Sequence, residues 1–332
     1  MNPLRSIPTP GRGRITLALL AVVPAVLAYP WRSPRDYWVL GIAAVVVIVL
    51  FGWWRGLYFT TILRRRLAIM GRGNEFIGES ASAAATTALL RIGASEGDGE
   101  MLPLALIAEY LDRYGIHADK IRITSRDNAS DASRRETWIG LTISATDNLA
   151  ALQARSSAIP LDETAEVAAR RLADHLREIG WEANTVAADD IPRLLTSNVR
   201  ERWRGVQRGP TDHLAAYRIR VEEALPEALE AIRSYSAGET CTALEIAGDR
   251  TRITVAAACA FQTDAAPEKR APLAGLIPQR GNQWPALTAL DLLSTRRLDG
   301  HAEVPADLLA RLDWPTLAGG AHRAPLAETA RT

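Results

Sequence analysis

The chain has 332 residues, enough for two average domains or for one large domain with an anchor. A formal net charge of +1 gives it no general pull towards nucleic acid. Its two cysteines, Cys241 and Cys259, are too few for a disulfide framework or a cysteine-rich zinc site and read as small buried apolar residues.

Hydrophobicity is concentrated near the N-terminus. Residues 15–31 (ITLALLAVVPAVLAYPW) and 37–54 (YWVLGIAAVVVIVLFGWW) carry no charged side chain, and a helix crosses the bilayer hydrocarbon with roughly 17–25 residues. Core helices of that length normally show a polar stripe, and these show none. Tyr29, Trp31, Tyr37 and Trp38 cluster at one end and Trp53, Trp54, Tyr58 and Phe59 at the other, as amphipathic rings do at headgroup level. Pro24 is tolerable in a membrane helix, with a kink. Arg5, Arg12 and Arg14 precede the first segment, and Arg55, Arg64, Arg65, Arg66 and Arg72 follow the second, whereas the connector holds Arg32 and Arg35 with Asp36. This asymmetry predicts two spans in an inner (plasma) membrane, both termini cytoplasmic and a tight hairpin outside. The alternative is a cleaved signal peptide ending near Val26-Leu27-Ala28, with the second span then acting as the stop in the membrane.

The stretch GWWRGLYFTTILRRR, residues 52–66, reads as the cytoplasmic exit of the second span, with the helix continuing to about Gly71. Phe59, Ile62, Leu63, Leu67 and Met70 recur near helical spacing and form an apolar face beside the arginines. Such a face can lie in the headgroup layer, dock on a partner, or pack on the chain's own domain. Trp53, Trp54, Arg55, Tyr58, Phe59, Leu63, Arg64, Arg65, Arg66 and Leu67 are the candidate membrane-interface or partner-docking residues. Residues 1–72 thus form a membrane anchor in contact with the lipid bilayer.

Residues 73–262 predict a mixed α/β (α+β) cytoplasmic domain. TTALLRI (86–92) reads as a strand, and LPLALIAEYLDRYG as a helix with Pro103 in its first turn and Gly115 as its stop. KIRITSR and WIGLTIS alternate as strands, joined by a polar loop around Asp127 to Arg135. DETAEVAARRLADHLREIG (162–180) is the clearest helix: Ala165, Ala169, Leu172 and Leu176 form its stripe, Asp162 can cap it, and Gly180 ends it. WEANTV follows as a strand, then HLAAYRIRV as a strand, PEALEAIRS as a helix, and TCTALEIA and ITVAAACAF as strands around a Gly248-Asp249 turn. The order strand, helix, strand, strand therefore occurs twice, at about 86–145 and 213–262, the pattern of two related halves, although the copies share no evident residues. Residues 263–332, richer in Pro, Gly and Arg, predict a C-terminal wrap over the surface with one short helix in PADLLARLDW.

Catalytic motifs are sparse. Lysine occurs only at Lys120, after Asp119, and Lys269, after Glu268, so there is no glycine-lysine phosphate loop. HExxH and CxxC are absent, and GxSxG occurs once, as Gly93-Ala94-Ser95-Glu96-Gly97. His117, His175, His213, His301 and His322 lack metal-ligand spacing. His301, near Asp299 and Asp307, fits a turn before a helix as well as acid-base work. No Asp-x-Asp site offers two carboxylates to one divalent cation; Glu96-Gly-Asp98-Gly-Glu100 comes nearest and reads as a solvated turn. No catalytic residue, cofactor or metal is assigned from these residues.

Long ordered stretches carry a resemblance. RDYWVLG leading into the second span, GWWRGLYFTTI at its exit, and LALIAEYLDRYGI, KIRITSR, TWIGLTISATDNLAALQARS, AARRLADHLREIGWEA, RRLDGH and AGGAHRAPL resemble the EccE family of mycobacterial type VII (ESX) secretion systems. The likeness is closest to EccE of the third ESX locus, the system tied to iron and zinc acquisition. The resemblance implies a non-catalytic subunit that stabilises or scaffolds an inner-membrane export complex, beside EccB, EccC and EccD type membrane subunits, with EccC carrying the ATPase domains. It implies neither a cofactor nor a small-molecule substrate. The alternative is a membrane-anchored enzyme acting on a lipid-linked or nucleotide-linked substrate, with the 96–100 turn or His301 in its site.

Overall fold

Two apolar runs lie within the N-terminal part of the chain, and in the computed structural model they give two helices, α1 (Arg12–Leu27) and α2 (Pro34–Phe51), packed on each other. The structure describes residues 12–27, 34–51, 53–54, 57–71, 84–95, 101–128, 131–186, 191–195, 199–249, 251–305 and 307–316. Contacts divide the chain into two units, Met1–Gly73 and Asn74–Thr332.

In the first unit Ala25 and Ala43 are buried, and such small side chains allow close helix approach. Leu19, Leu20, Val26 and Leu27 on α1, and Ile42, Val45 and Ile48 on α2, face outward. Among the described residues no helix is long and apolar enough to cross a membrane. The expected spans at 15–31 and 37–54 run past both helices, into residues 28–33 and 52 that lie outside the described set. The expected continuous helix from 37 to 71 is corrected. Trp53–Trp54 (β1) and Leu57–Tyr58 (β2) form an antiparallel ribbon with Trp53 opposite Tyr58 and Trp54 opposite Leu57, and a separate helix α3 (Phe59–Gly71) follows. Gly52 and Gly56 each disfavour helix by about 1 kcal/mol, whereas aromatic residues favour cross-strand pairs.

The second unit is built on a 12-stranded sheet in which every paired neighbour is antiparallel. In chain order come β3 (Ala85–Ser95), α4 (Leu104–Ala108), β4 (Asp112–Arg113), β5 (Ile116–Asn128), β6 (Asp131–Ser144), α5 (Leu149–Arg155), α6 (Leu161–Glu178) and β7 (Trp181–Thr185). There follow β8 (Arg200–Glu201), β9 (Val206–Gln207), β10 (His213–Ile219), α7 (Leu225–Arg233), β11 (Glu239–Gly248) and β12 (Ile253–Thr263). The chain closes with β13 (Leu276–Pro278), α8 (Gln283–Leu290), β14 (Ala302–Glu303) and α9 (Leu308–Arg311).

The sheet order is β7-β3-β6-β5-β11-β12-β10-β9-β8. Reading outward from the central β5–β11 pair, each side meets the last strand of a strand-helix-strand-strand run and then its first. The two runs therefore occupy equivalent places about the sheet centre.

Strand alternation sends residues to two covered faces. On one, Ile121, Ile123, Ile139, Leu244, Ile246 and Phe261 meet α4, α6, α7 and α9. On the other, Leu214, Ala216, Cys241, Ala243, Ala256 and Ala260 meet α8 and the 194–206 segment. Double-sided cover explains why β12 reads as a nearly continuous apolar run and why β11 is buried along almost its whole length despite its threonines and Glu245.

Three expectations change here. Most of the expected loop is strand: β5 reaches Asn128 and β6 begins at Asp131, because Arg135 donates two hydrogen bonds to the Asp127 carboxylate, at 2.6 and 3.0 Å, across the hairpin. The helix expected to run to Gly115 stops in a 3-10 turn at Leu111, since Asp112 and Arg113 pair with β5 instead. Residues 263–316 contribute two strands and two helices and bury Leu276, Leu287, Leu290, Leu298, Leu308 and Trp314, so this segment completes the core on both faces.

Candidate functional site

The residues expected at a membrane interface or partner dock come first. Trp53 and Trp54 lie on β1 and Tyr58 on β2, brought together in register by the ribbon, and Phe59 opens α3. Arg55 lies outside the described residues. On α3, Leu63, Leu67 and Met70 share one face at helical spacing and are 57, 59 and 83% exposed. Arg64 and Arg66 are exposed beside them and Arg65 is partly buried. An apolar stripe flanked by cations suits a surface that is itself apolar and anionic.

The second unit holds a cluster the sequence did not single out. Pairing of β5 with β11 sets Arg122 opposite Glu245, and alternation puts Lys120 on the same face, where all three are buried. Arg122 donates to Glu245 Oε2 from Nε at 2.9 Å and from a terminal nitrogen at 2.6 Å. Oε1 accepts from the Leu298 N–H at 2.9 Å and lies 3.0 Å from His301 Nε2. A carboxylate can only accept, so the His301 proton sits on Nε2. Arg122 also reaches the carbonyls of Asp291, at 3.1 Å, and Arg296, at 2.5 Å. Lys120 Nζ lies 3.6 Å from Glu245 Oε2 and donates to the Arg296 carbonyl. Outside this core, Arg297 clamps Asp119, with one contact at 2.5 Å.

The charges are matched but costly to bury. Burial pushes the Glu245 carboxyl up, and Arg122, the His301 hydrogen bond and Lys120 outweigh it, holding the group down at about 2. Burial pushes the Lys120 ammonium down, Arg122 adds like-charge repulsion, and despite Glu245 the group falls to about 7.

Every oxygen of Glu245 is engaged within the chain and Lys120 is fully buried, so the cluster presents no open face to a substrate. It fastens residues 291–301 across the sheet. Only its periphery is open: a cavity of about 130 Å3 lies beside it, lined in part by Arg218, Arg296 and Asp299.

The sign of the linkage gives a prediction. Unfolded Lys120 titrates near 10.5 and the folded group near 7, so between these values the unfolded chain binds more protons and stability rises with pH. Glu245 acts oppositely placed on the pH scale: its contribution is complete above its ordinary value of 4.5 and is lost as pH falls to about 2. Lys120→Met should abolish the alkaline rise in thermal midpoint while leaving the acid loss. An alkaline rise of equal size in both proteins would contradict this.

His301 therefore works with Glu245, not with Asp299 or Asp307 as its sequence neighbours suggested. The Glu96 to Glu100 turn lies outside the described residues. Cys241 and Cys259 are buried and unpaired with each other, with burial pushing the Cys241 thiol up to about 11, so neither is a nucleophile. Among the described residues no cluster of His, Cys, Asp and Glu could hold a metal ion.

Comparison with known proteins places this architecture. Residues 131–219, from β6 through β10, match the family model "type VII ESX secretion system translocon, EccE". The chain is 63% identical over 329 residues, 98% of both chains, to ESX-3 secretion system protein EccE3 from two strains of Mycobacterium tuberculosis. It is 46% identical over 298 residues to the protein of that name from Mycolicibacterium smegmatis, covering 90% of this chain and 93% of the relative. Identity of that extent, spanning both units, means that the chain belongs to the EccE family.

Proposed function

We propose that the chain is a non-catalytic structural subunit of a type VII (ESX) protein-export complex of the third-locus kind. In this reading it is held in the inner membrane beside EccB, EccC and EccD type subunits and stabilises the assembly around the EccC ATPase. The observation that carries the reading is near full-length identity to proteins named as ESX-3 secretion components. The outward-facing leucines, valines and isoleucines of α1 and α2 support membrane placement, since a contiguous apolar surface of this kind needs lipid or protein cover. A hairpin spanning the bilayer with both termini cytoplasmic accommodates them. The Trp53 to Leu67 segment would then lie at the membrane interface or on a partner. The saturated Glu245 cluster supports a structural role, because its polar atoms are used up in fixing the fold.

The rival reading, a membrane-anchored enzyme, draws on the Asp98 and Glu100 carboxylates. Deleting the gene should abolish export of the system's substrates, and a copy carrying Asp98→Ala with Glu100→Ala should restore it fully. Normal levels of that double variant without restored export would contradict the structural reading.

A further inference from the structure

The hairpin joining β4 to β5 turns through Tyr114 and Gly115, whose φ values are 57° and 70°. Two-residue hairpins with both central φ positive strongly prefer Asn-Gly or Asp-Gly, because a bulky side chain is strained there. Tyrosine occupies the asparagine position, and its ring is 54% exposed instead of filling the core. The turn itself gives no reason for that choice; the ring's neighbours lie outside the turn, with Tyr110 edge-on at 6.5 Å between ring centroids.

The ring borders a groove of about 210 Å3 between this turn and the first half of α6. Ile116 and Ala168 form an apolar floor, while Arg113, Arg155 and Arg171 line it against a single carboxylate, Glu163. The guanidinium of Arg171 lies 4.5 Å from the Tyr114 ring centroid and that of Arg113 lies 5.4 Å away. Tyr110, behind them, is tied to α6 by hydrogen-bond contacts of 3.2 Å with the Arg171 carbonyl and with His175 Nδ1, which holds the wall in place. Among the described residues Arg155 and Arg171 have no carboxylate partner; Arg155 donates to the Ala151 carbonyl of its own helix at 2.8 Å. The other described non-glycine residue with positive φ, Ile159 at 52°, precedes Pro160 on the same groove. Among the described residues of the second unit the exposed large apolar ones are Met101, Tyr114, Leu149, Ile159, Val167 and Ile179, and Tyr114 and Val167 line this one groove.

We propose that this groove is the docking site for an acidic segment of a partner protein. Carboxylates of the partner pair with Arg155 and Arg171, and an apolar side chain beside them seats against Tyr114 and Val167. Arg113 is already paired with Glu109 at 3.6 Å, so Arg155 and Arg171 against Glu163 set the charge of the occupant, and the planar guanidinium forks suit carboxylates. Exposed tyrosine and arginine around a small apolar pocket are the usual composition of an interface anchor. The assignment rests on the reading of the chain as a subunit of a membrane complex.

The test uses the full-length chain in its own membranes, with a benzophenone amino acid at Val167, photo-crosslinked and mapped by mass spectrometry. The expected adduct is a single segment of another protein carrying at least two acidic residues. Its yield should fall at least tenfold in the Arg155→Glu, Arg171→Glu double variant. Tyr114→Asn should also lose the adduct while its thermal midpoint stays roughly level, the better turn residue offsetting the lost ring contacts to Tyr110, Arg113 and Arg171; this separates lost docking from lost folding. Mapping to a basic or uncharged segment, to lipid or to a second copy of this chain would overturn the proposal. So would an unchanged yield in the double variant. If the unmodified chain co-purifies with no other membrane protein, the subunit reading itself fails; if it does co-purify and the adduct is wrong, only the docking assignment falls.

Discussion

Replacing Glu245 with alanine should destabilise the protein by about 3–5 kcal/mol, the range for removing one member of a buried ion pair. Arg122 would remain buried with no counter-charge, Lys120 would lose the carboxylate that favours its ammonium form, and the Leu298 N–H and His301 Nε2 would lose their acceptor. The loss should appear first as loosening of residues 291–301, which the cluster fastens to β5 and β11. Thermal unfolding of the detergent-solubilised chain measures the first effect and hydrogen exchange of the 291–301 amides the second. A combined Lys120→Met, Arg122→Met and Glu245→Leu variant should recover part of the loss, because no charge is then stranded. Recovery stays incomplete because the carbonyls of Asp291 and Arg296 lose their donors. Equal stability of Glu245→Ala and the parent would show that the cluster is dispensable.

Reversing Arg64, Arg65 and Arg66 to glutamate should reduce the assembled complex on the order of a hundredfold without lowering expression. Each arginine near an anionic surface contributes on the order of 1 kcal/mol, and a factor of ten corresponds to about 1.4 kcal/mol. Loss of three cations therefore reaches about a hundredfold, before the repulsion added by the new carboxylates. The arginines stand on α3 beside exposed Leu63, Leu67 and Met70, so charge and apolar contact act on one surface. Leu63→Ala with Leu67→Ala should give a smaller loss in the same native-gel assay. Unchanged recovery of the complex in the triple reversal would remove this segment from the interface.

Regular periodicity made much of the fold legible. The stripe of Ala165, Ala169, Leu172 and Leu176 gave α6 within a residue or two of its bounds, and Gly180, at φ 89°, stops it as expected. The Gly248-Asp249 turn stands where alternation placed it, with Gly248 at φ 109° and the Asp249 carboxylate accepting from the Thr251 and Arg252 amides at 2.7 and 3.0 Å. Local pattern failed where a distant partner decides the outcome. Charged residues between 127 and 135 looked like a loop until Asp127 met Arg135 across the hairpin. Backbone pairing of residues 53–54 with 57–58 broke a helix that hydrophobic spacing alone would have continued.

The buried cluster was the least visible feature. Lys120, Arg122 and Glu245 look like solvent-facing positions of alternating strands, and only cover from residues 291–301 makes that face an interior. The available signal was weak: Lys120 is one of two lysines in an arginine-rich chain. Tyr114 before Gly115 was readable in principle as a poor turn residue, but its meaning depends on Arg113 and Arg171 converging on the ring.

The most direct test of the structural-subunit account is a mild-detergent pull-down of the tagged full-length chain from its own membranes, with native sizing and mass spectrometry. The account predicts one large species containing an FtsK-type ATPase and multi-span membrane subunits. A monomer or self-dimer, stable and free of such partners, would contradict it.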